Sequence, residues 1–352
     1  MNKERLPEPQ PIGDMKLIVP TVSPAIGNTT VMGSTASIGE IEGINRVHHL
    51  NFLNNMLPDK CANLIIADPP YFEVKGDFDF IWKDFKAYLE DVYKWAAECK
   101  RLLADNGTLF WYGDAKKIAY SQVILDEMFM LLNSMVWRKK DSIQYQYYSP
   151  DLARTFNTHN ERILMYSREH EFMGLTPFAE YLRKEFESAN VTNREIAKLF
   201  PSFTGGLTGC VSNWVNGDNV ITEEQYLKIR DHLKGEYLQK DYSKLKDQYE
   251  NQRRHFDNVM KLEEVLEFSQ EAHITKEYDH PTKKPETLTR ALIQVCSRKN
   301  DLVIVPFAGS GTEMAMSIKE GRRAIGFEIT EKHVHMSNKR VLEILRKPEL
   351  FR

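Results

Sequence analysis

The sequence predicts an α/β fold, a mixed but mostly parallel sheet with helices on both faces, together with a mainly helical inserted domain. Three observations predict it. Short apolar runs that read as buried strands alternate with helical patterns over residues 44–170 and again over 276–352. Two of those runs end in loops of distinctive composition, Asp68-Pro69-Pro70-Tyr71 and Phe307-Ala308-Gly309-Ser310-Gly311-Thr312. Between the two halves, residues 171–275 turn to charged, helix-forming segments.

Residues 1–43 are rich in Pro, Gly, Ser and Thr and carry no periodicity, which reads as an extended or disordered arm. A first strand is expected near Ile44–His48. The run Ala62–Ala67 reads as a buried parallel strand, closed by the rigid Pro69-Pro70 pair. Helical patterns follow at Phe85–Leu103 and Lys116–Leu131, with strands at Thr108–Tyr112, Ser134–Trp137 and Arg162–Tyr166. In the insertion, Thr192-Asn-Arg-Glu195 and Thr222-Glu-Glu-Gln225 are capping boxes, and Asn216-Gly217 is a helix stop. Residues 236–270 read as a long polar helix. After it, an apolar strand within 301–306 leads into a glycine turn. A helix then opens at Thr312 and ends at Gly321, and a short strand from Arg323 ends in the acid Glu328.

That last unit is a ligand site in outline. Glycines let backbone approach a ligand closely, and an acid after the next strand can bond two ribose hydroxyls. The spacing of a dinucleotide fingerprint is absent, and so is the Gly-Lys-Ser/Thr of a phosphate-cradling loop.

Bulk properties narrow the class. The 352 residues are 42% hydrophobic and 28% charged, an ordinary globular composition. No membrane-length apolar run and no leader pattern is seen, and Cys61, Cys99, Cys210 and Cys296 are scattered without zinc spacing. A reducing, cytoplasmic setting is expected, with no metal site. The net charge of −3 means that any affinity for nucleic acid must come from local basic surface.

The Asp68–Tyr71 tetrapeptide resembles the catalytic D-P-P-Y loop of amino methyltransferases that use S-adenosylmethionine (AdoMet). Phe307–Thr312 resembles their AdoMet-binding motif. Here the catalytic loop precedes the cofactor loop, the order of the circularly permuted β class of DNA amino methyltransferases. Leu57-Pro58-Asp59, Lys100–Trp111 and His280-Pro-Thr-Lys-Lys-Pro285 fall where that class has its other motifs, so the resemblance covers approximately residues 44–170 and 276–345. It implies a Rossmann-like methyltransferase fold and a site-specific enzyme. That enzyme flips a base from double-stranded DNA and methylates adenine N6 by direct in-line transfer.

The same resemblance assigns roles. Asp68 and Pro69 would accept hydrogen bonds from the target amine, Pro70 would stiffen the loop, and Tyr71 would stack on the base. Phe307 to Thr312 would wrap the methionine end of AdoMet, Glu328 would hold its ribose, and Thr282 and Lys284 would meet its carboxylate. Two departures stand out: Val305 occupies a position where the family often has Asp, and Asn51, near the adenine pocket, one where it often has an acid. Aspartate rather than serine at position 68 points to adenine N6, with cytosine N4 as the alternative. No cysteine lies in the Pro-Cys context of cytosine-C5 enzymes.

The block 191–234 resembles a phage-repressor helix-turn-helix, with Val211–Gly217 matching its usual ending and the glycine-rich 202–209 longer than the usual turn. On that reading Thr208, Ser212 and Asn213 reach bases or phosphates; on the other, the module only packs, with Trp214 as core. Lys139 and Lys140 are candidate phosphate contacts. Oligomeric state is open, with homodimers as the precedent in the class, and so is a separate partner restriction endonuclease. Two rival functions stay open: a catalytically silent DNA-binding regulator, supported by the helix-turn-helix-like block and Val305, and methylation of RNA or protein glutamine.

Overall fold

In the computed structural model, residues 43–74, 79–140, 159–168, 176–269 and 283–346 are described, and all belong to one compact unit spanning 41–352. The arm at 1–43 (apart from Gly43) and His280, Pro281 and Thr282 of the His280–Pro285 motif lie outside them.

The strands are β1 (Arg46–His49), β2 (Ala62–Ala67), β3 (Leu103–Gly113), β4 (Met130–Lys140), β5 (Asn160–Ser167), β6 (Val265–Ser269), β7 (Leu302–Val305) and β8 (Arg323–Glu328). They form one eight-stranded sheet in the order β1-β8-β7-β2-β3-β5-β4-β6. Both of β5's pairings are antiparallel and every other pairing is parallel, so seven strands share a direction. The expected α/β class with a mostly parallel sheet is the observed one.

Helices α1 (Phe85–Leu102) and α2 (Ile118–Asp126) cover one face, and α8 (Glu286–Cys296), α9 (Thr312–Lys319) and α10 (Glu331–Arg346) the other. Alternation along β2 explains why both faces need cover. Leu64 and Ile66 enter the core beneath α8–α10, while Ala62, Ile65 and Ala67 enter the core beneath α1. Leu64, Ile65 and Ile66 are at most 1% exposed, and burial of each contributes about 1.5–3 kcal/mol.

Helix α1 starts at Asp84, whose side chain accepts from the Ala87 N–H, and runs directly into β3. A Cβ at Gly107 would lie 2.9 Å from the Ala62 carbonyl oxygen. Only glycine therefore lets β3 approach β2 where their register shifts between Ala62 and Leu64.

The insertion contributes α3 (Pro177–Ser188), α4 (Asn193–Ala197), α5 (Cys210–Asn216), α6 (Glu223–His232) and α7 (Tyr242–Gln252). These pack on a third apolar cluster around Phe178, Trp214 and Tyr226. Both capping boxes form, at Thr192–Glu195 and Thr222–Gln225, and Gly217 closes α5 in the left-handed region at φ 84°.

Three expectations need correction. The long helix over 236–270 is α7 alone, followed by irregular chain and the edge strand β6. Leu266 is buried there and the Trp137 indole N–H donates to the Phe268 carbonyl at 3.0 Å, so alternation against β4 wins over polar composition. The helical pattern at Lys116–Leu131 stops at Asp126, because Met130 and Leu131 already pair with β5. The third strand starts at Leu103 rather than Thr108.

Candidate active site

Strands β2 and β7 are neighbours, with Leu64 beside Val303 and Ile65 beside Ile304. The chain leaves β2 for β3 on one side and β7 for β8 on the other. Such a reversal opens a crevice at the carboxyl ends of the strands, the usual ligand site of open α/β sheets. Both loops singled out in the sequence emerge there. A cavity of about 250 Å³ is lined by Asp68–Tyr71 on one side and Pro306–Ser310 on the other. Asn51, Lys284, Glu313 and Glu328 add polar groups to its lining.

The cofactor-type loop is fixed from below. Gly309 and Gly311 sit at φ 46° and 73°, where side chains are disfavoured. The Ser337 hydroxyl of α10 donates to the Gly309 carbonyl at 2.8 Å, and a Cβ on Gly311 would come within 2.8 Å of the Ser337 Cβ. Buried Arg340 donates to the Thr312 hydroxyl at 2.9 Å and to the Ser310 carbonyl, and pairs with Glu286. Thr312 itself is fully buried and faces this support. Ala308 is buried, and Phe307 meets Phe52 and Trp95, at 6.1 and 5.0 Å between rings. Gly311→Ala is expected to cost about 1–3 kcal/mol, from strain and overpacking, and to lower the midpoint of thermal unfolding.

The carboxylate of Glu328 accepts from the Gly309 N–H at 2.9 Å and from the Thr330 N–H at 2.8 Å, which orients it at the end of β8. Asn51 caps the short 3-10 turn Phe52–Asn54 by accepting from the Leu53 N–H at 2.9 Å.

On the opposite wall, both carboxylate oxygens of Asp68 are engaged. Its Oδ2 lies 2.6 Å from the Lys284 ammonium, and its Oδ1 accepts from the Tyr71 hydroxyl at 2.6 Å. Lys284 also faces Glu161 Oε2 at 3.3 Å, and Glu161 Oε1 lies 2.7 Å from Lys139. A chain of alternating charges, Lys139–Glu161–Lys284–Asp68, thus crosses the sheet from β4 through β5 to the end of β2. The Lys284 ammonium stands over the rings of Tyr112 and Tyr71, at 5.1 and 5.7 Å. The loop after β2 is pinned by buried Asp79, which accepts from the Tyr71 N–H at 2.6 Å.

Burial pushes the Asp68 carboxyl above its usual range, while Lys284 and the Tyr71 hydroxyl pull it back. Burial pulls the Lys284 ammonium down, but Asp68 and Glu161 outweigh it and hold that charge firmly. Glu161 resists its own burial penalty because two lysines face it, and stays below the usual range.

Lys284, expected on the cofactor carboxylate, therefore stands on Asp68. Lys139, expected on a phosphate, turns toward Glu161 and is 21% exposed, and Lys140 pairs with Glu267 at 3.1 Å. Thr208 donates to the Phe200 carbonyl and touches Cys210 Sγ, whereas Ser212 is exposed and Asn213 half-buried on α5. Trp214 is buried against Phe200. Asp79, Glu161, Glu313 and Arg340 carried no signal in the sequence. Glu161 and Arg340 find their partners on other elements, Asp79 finds a partner eight residues back in the chain, and Glu313 is marked only by its place in the cavity wall.

The sheet order, the two loops at its reversal point and the cavity between them define an α/β protein that binds a nucleoside-type ligand beside a half-buried carboxylate. Residues 62–339 match the N6/N4 family of DNA methylases, and the chain belongs to that family. The DNA adenine methyltransferase YhdJ of Escherichia coli strain K12 is 24% identical over 289 residues, 81% of this chain and 78% of its own. The type II methyltransferase M2.DpnII of Streptococcus pneumoniae is 23% identical over 306 residues, 82% of this chain and 85% of its own. Among solved structures, the cytosine-N4-specific PvuII DNA methyltransferase aligns with 84% of this chain and 89% of its own, with 12% identity and a TM-score of 0.47. No helix among the described residues is long and apolar enough to cross a membrane.

Proposed function

We propose that this chain is a site-specific DNA methyltransferase that moves a methyl group from AdoMet to the exocyclic N6 of adenine. The observation that carries the proposal is the meeting of Asp68-Pro69-Pro70-Tyr71 and Phe307–Ser310 in one cavity, after adjacent strands, from positions more than 200 residues apart. The names of the relatives, adenine and type II methyltransferases, support the substrate.

The residues present fit AdoMet. Gly309 lines the cavity without a side chain, and Glu328 is held at the end of β8, where a ribose diol can bond it. Phe307 to Ser310 would hold the methionine end, with Thr312 acting from beneath through Arg340. Bound there, the cofactor supplies a methyl group already activated on a sulfonium.

The chain's own residues then face one task. The adenine amine is a poor nucleophile because its lone pair is delocalised into the ring. The Asp68 carboxylate and Pro69 carbonyl accept its two hydrogens, drawing nitrogen toward tetrahedral geometry and stabilising the positive charge that develops on it. Lys284 keeps Oδ2 occupied and Asp68 charged, so Oδ1 is the oxygen offered to the amine. Tyr71, whose hydroxyl donates to Oδ1, would yield that oxygen to the amine and stack on the flipped base. The proton leaves after the methyl arrives, so a strong base is unnecessary.

Target recognition falls to the helical insertion on this reading. Exposed Ser212 and half-buried Asn213 on α5 are the candidates for base or phosphate contact in a helix-turn-helix-like arrangement. Tritiated AdoMet tests the substrate class. Label is expected in double-stranded DNA and absent from RNA of the same sequence and from glutamine peptides. Label in RNA or peptide alone would reject the reading.

A further inference from the structure

Val305 is 1% exposed in the core, so the cofactor loop lacks an acid at the end of β7. The first turn of α9 holds another one. Glu313 follows the glycine loop directly, is 5% exposed, and lines the cavity that Asp68, Lys284 and Ser310 also line. Among the described residues its carboxylate makes no ion pair or hydrogen bond except to its own backbone N–H.

The charged groups around it are Asp68 after β2, Lys284 before α8 and Arg340 on α10, with the Tyr112 hydroxyl on β3 also near. Both cations are committed elsewhere: Lys284 to Asp68 and Glu161, Arg340 to Glu286 and Thr312. A buried carboxylate in that position is costly until a cation reaches it. The methionine end of AdoMet carries one in its α-ammonium.

We infer that Glu313 is the anionic partner of the AdoMet α-ammonium and replaces the acid that Val305 removes from the loop. The inference rests on the methyltransferase reading above, and it assigns a binding role to a residue outside both motifs. Burial, reinforced by Asp68, pushes the Glu313 carboxyl up to about 7, against the pull of its own N–H, Lys284 and Arg340. The anion is therefore lost as pH falls through about 7, and AdoMet affinity falls with it.

Calorimetric titration of Glu313→Gln with three ligands tests this. AdoMet and S-adenosylhomocysteine, which share the ammonium, are expected to bind about tenfold to a hundredfold more weakly than to wild type at pH 7.5. 5′-Methylthioadenosine, which lacks it, is expected to bind equally. Between pH 7.5 and 6 the wild-type affinity for AdoMet should drop several-fold and that of Glu313→Gln stay flat. Glu313→Asp, which keeps the charge, should recover part of the affinity.

Unchanged binding of all three ligands would overturn the inference. So would an equal loss for methylthioadenosine, which marks a merely structural residue, or a loss for AdoMet alone, which marks a partner of the sulfonium. Failure of wild type to bind AdoMet would instead remove the underlying methyltransferase reading. Without ligand, Glu313→Gln should melt at or above wild type at pH 7.5, since it removes an unpaired buried charge.

Discussion

Asp68→Ala is expected to lower kcat for DNA methylation by about 10²–10³-fold or more, with the Kd for AdoMet held within a few-fold. The reasoning is geometric. Asp68 is held by Lys284 and Tyr71 on one wall of the cavity, while the glycine loop on the other wall is held by Ser337 and Arg340. Asp68→Asn keeps an acceptor oxygen but loses the charge, so it should fall between wild type and Asp68→Ala. Isothermal titration beside single-turnover kinetics separates the two quantities. A weakened Kd at unchanged kcat would place Asp68 on the cofactor instead of the amine.

The largest effect on stability is expected from Lys284→Met. Lys284 is buried and neutralises Asp68 at 2.6 Å and Glu161 at 3.3 Å. Its loss leaves Glu161 with Lys139 but Asp68 with no cation, at a cost of about 3–5 kcal/mol. The sign with pH follows. A carboxylate whose folded pKa is raised carries no penalty below the ordinary carboxylate range, and its penalty grows as pH rises through the raised value. The deficit of Lys284→Met relative to wild type should therefore shrink from pH 8 to pH 5 in thermal or urea unfolding. The double variant Asp68→Asn with Lys284→Met should recover part of the loss, because it removes the stranded charge. A deficit independent of pH would show that packing of the lysine stem dominates.

Much of this site was legible in the sequence because its two loops are local events. A buried strand must end abruptly, and Pro69-Pro70 and Gly309–Gly311 are the residues that end one with a rigid or left-handed turn. The capping boxes at Thr192 and Thr222 were legible for the same reason, since each satisfies helix-end donors with a residue three positions away. Contacts that span the chain were not. Lys284 reaches Asp68 across 216 residues, and only the folded structure brings the two together. Lys139 lies in the basic run 138–140, whose composition suggests a phosphate contact. Burial of Glu161 beside it gives the lysine a different partner. The edge strand β6 was hidden in polar sequence because one face of it is open and only Leu266 is fully covered.

The most direct test is mass spectrometry of nucleosides from unmethylated duplex DNA incubated with AdoMet and either wild-type protein or Asp68→Ala. N6-methyladenine formed by wild type and absent with Asp68→Ala is the expected result. N4-methylcytosine in its place, or no modified base from wild type that binds both DNA and AdoMet, would contradict the assignment of Asp68 to the adenine amine.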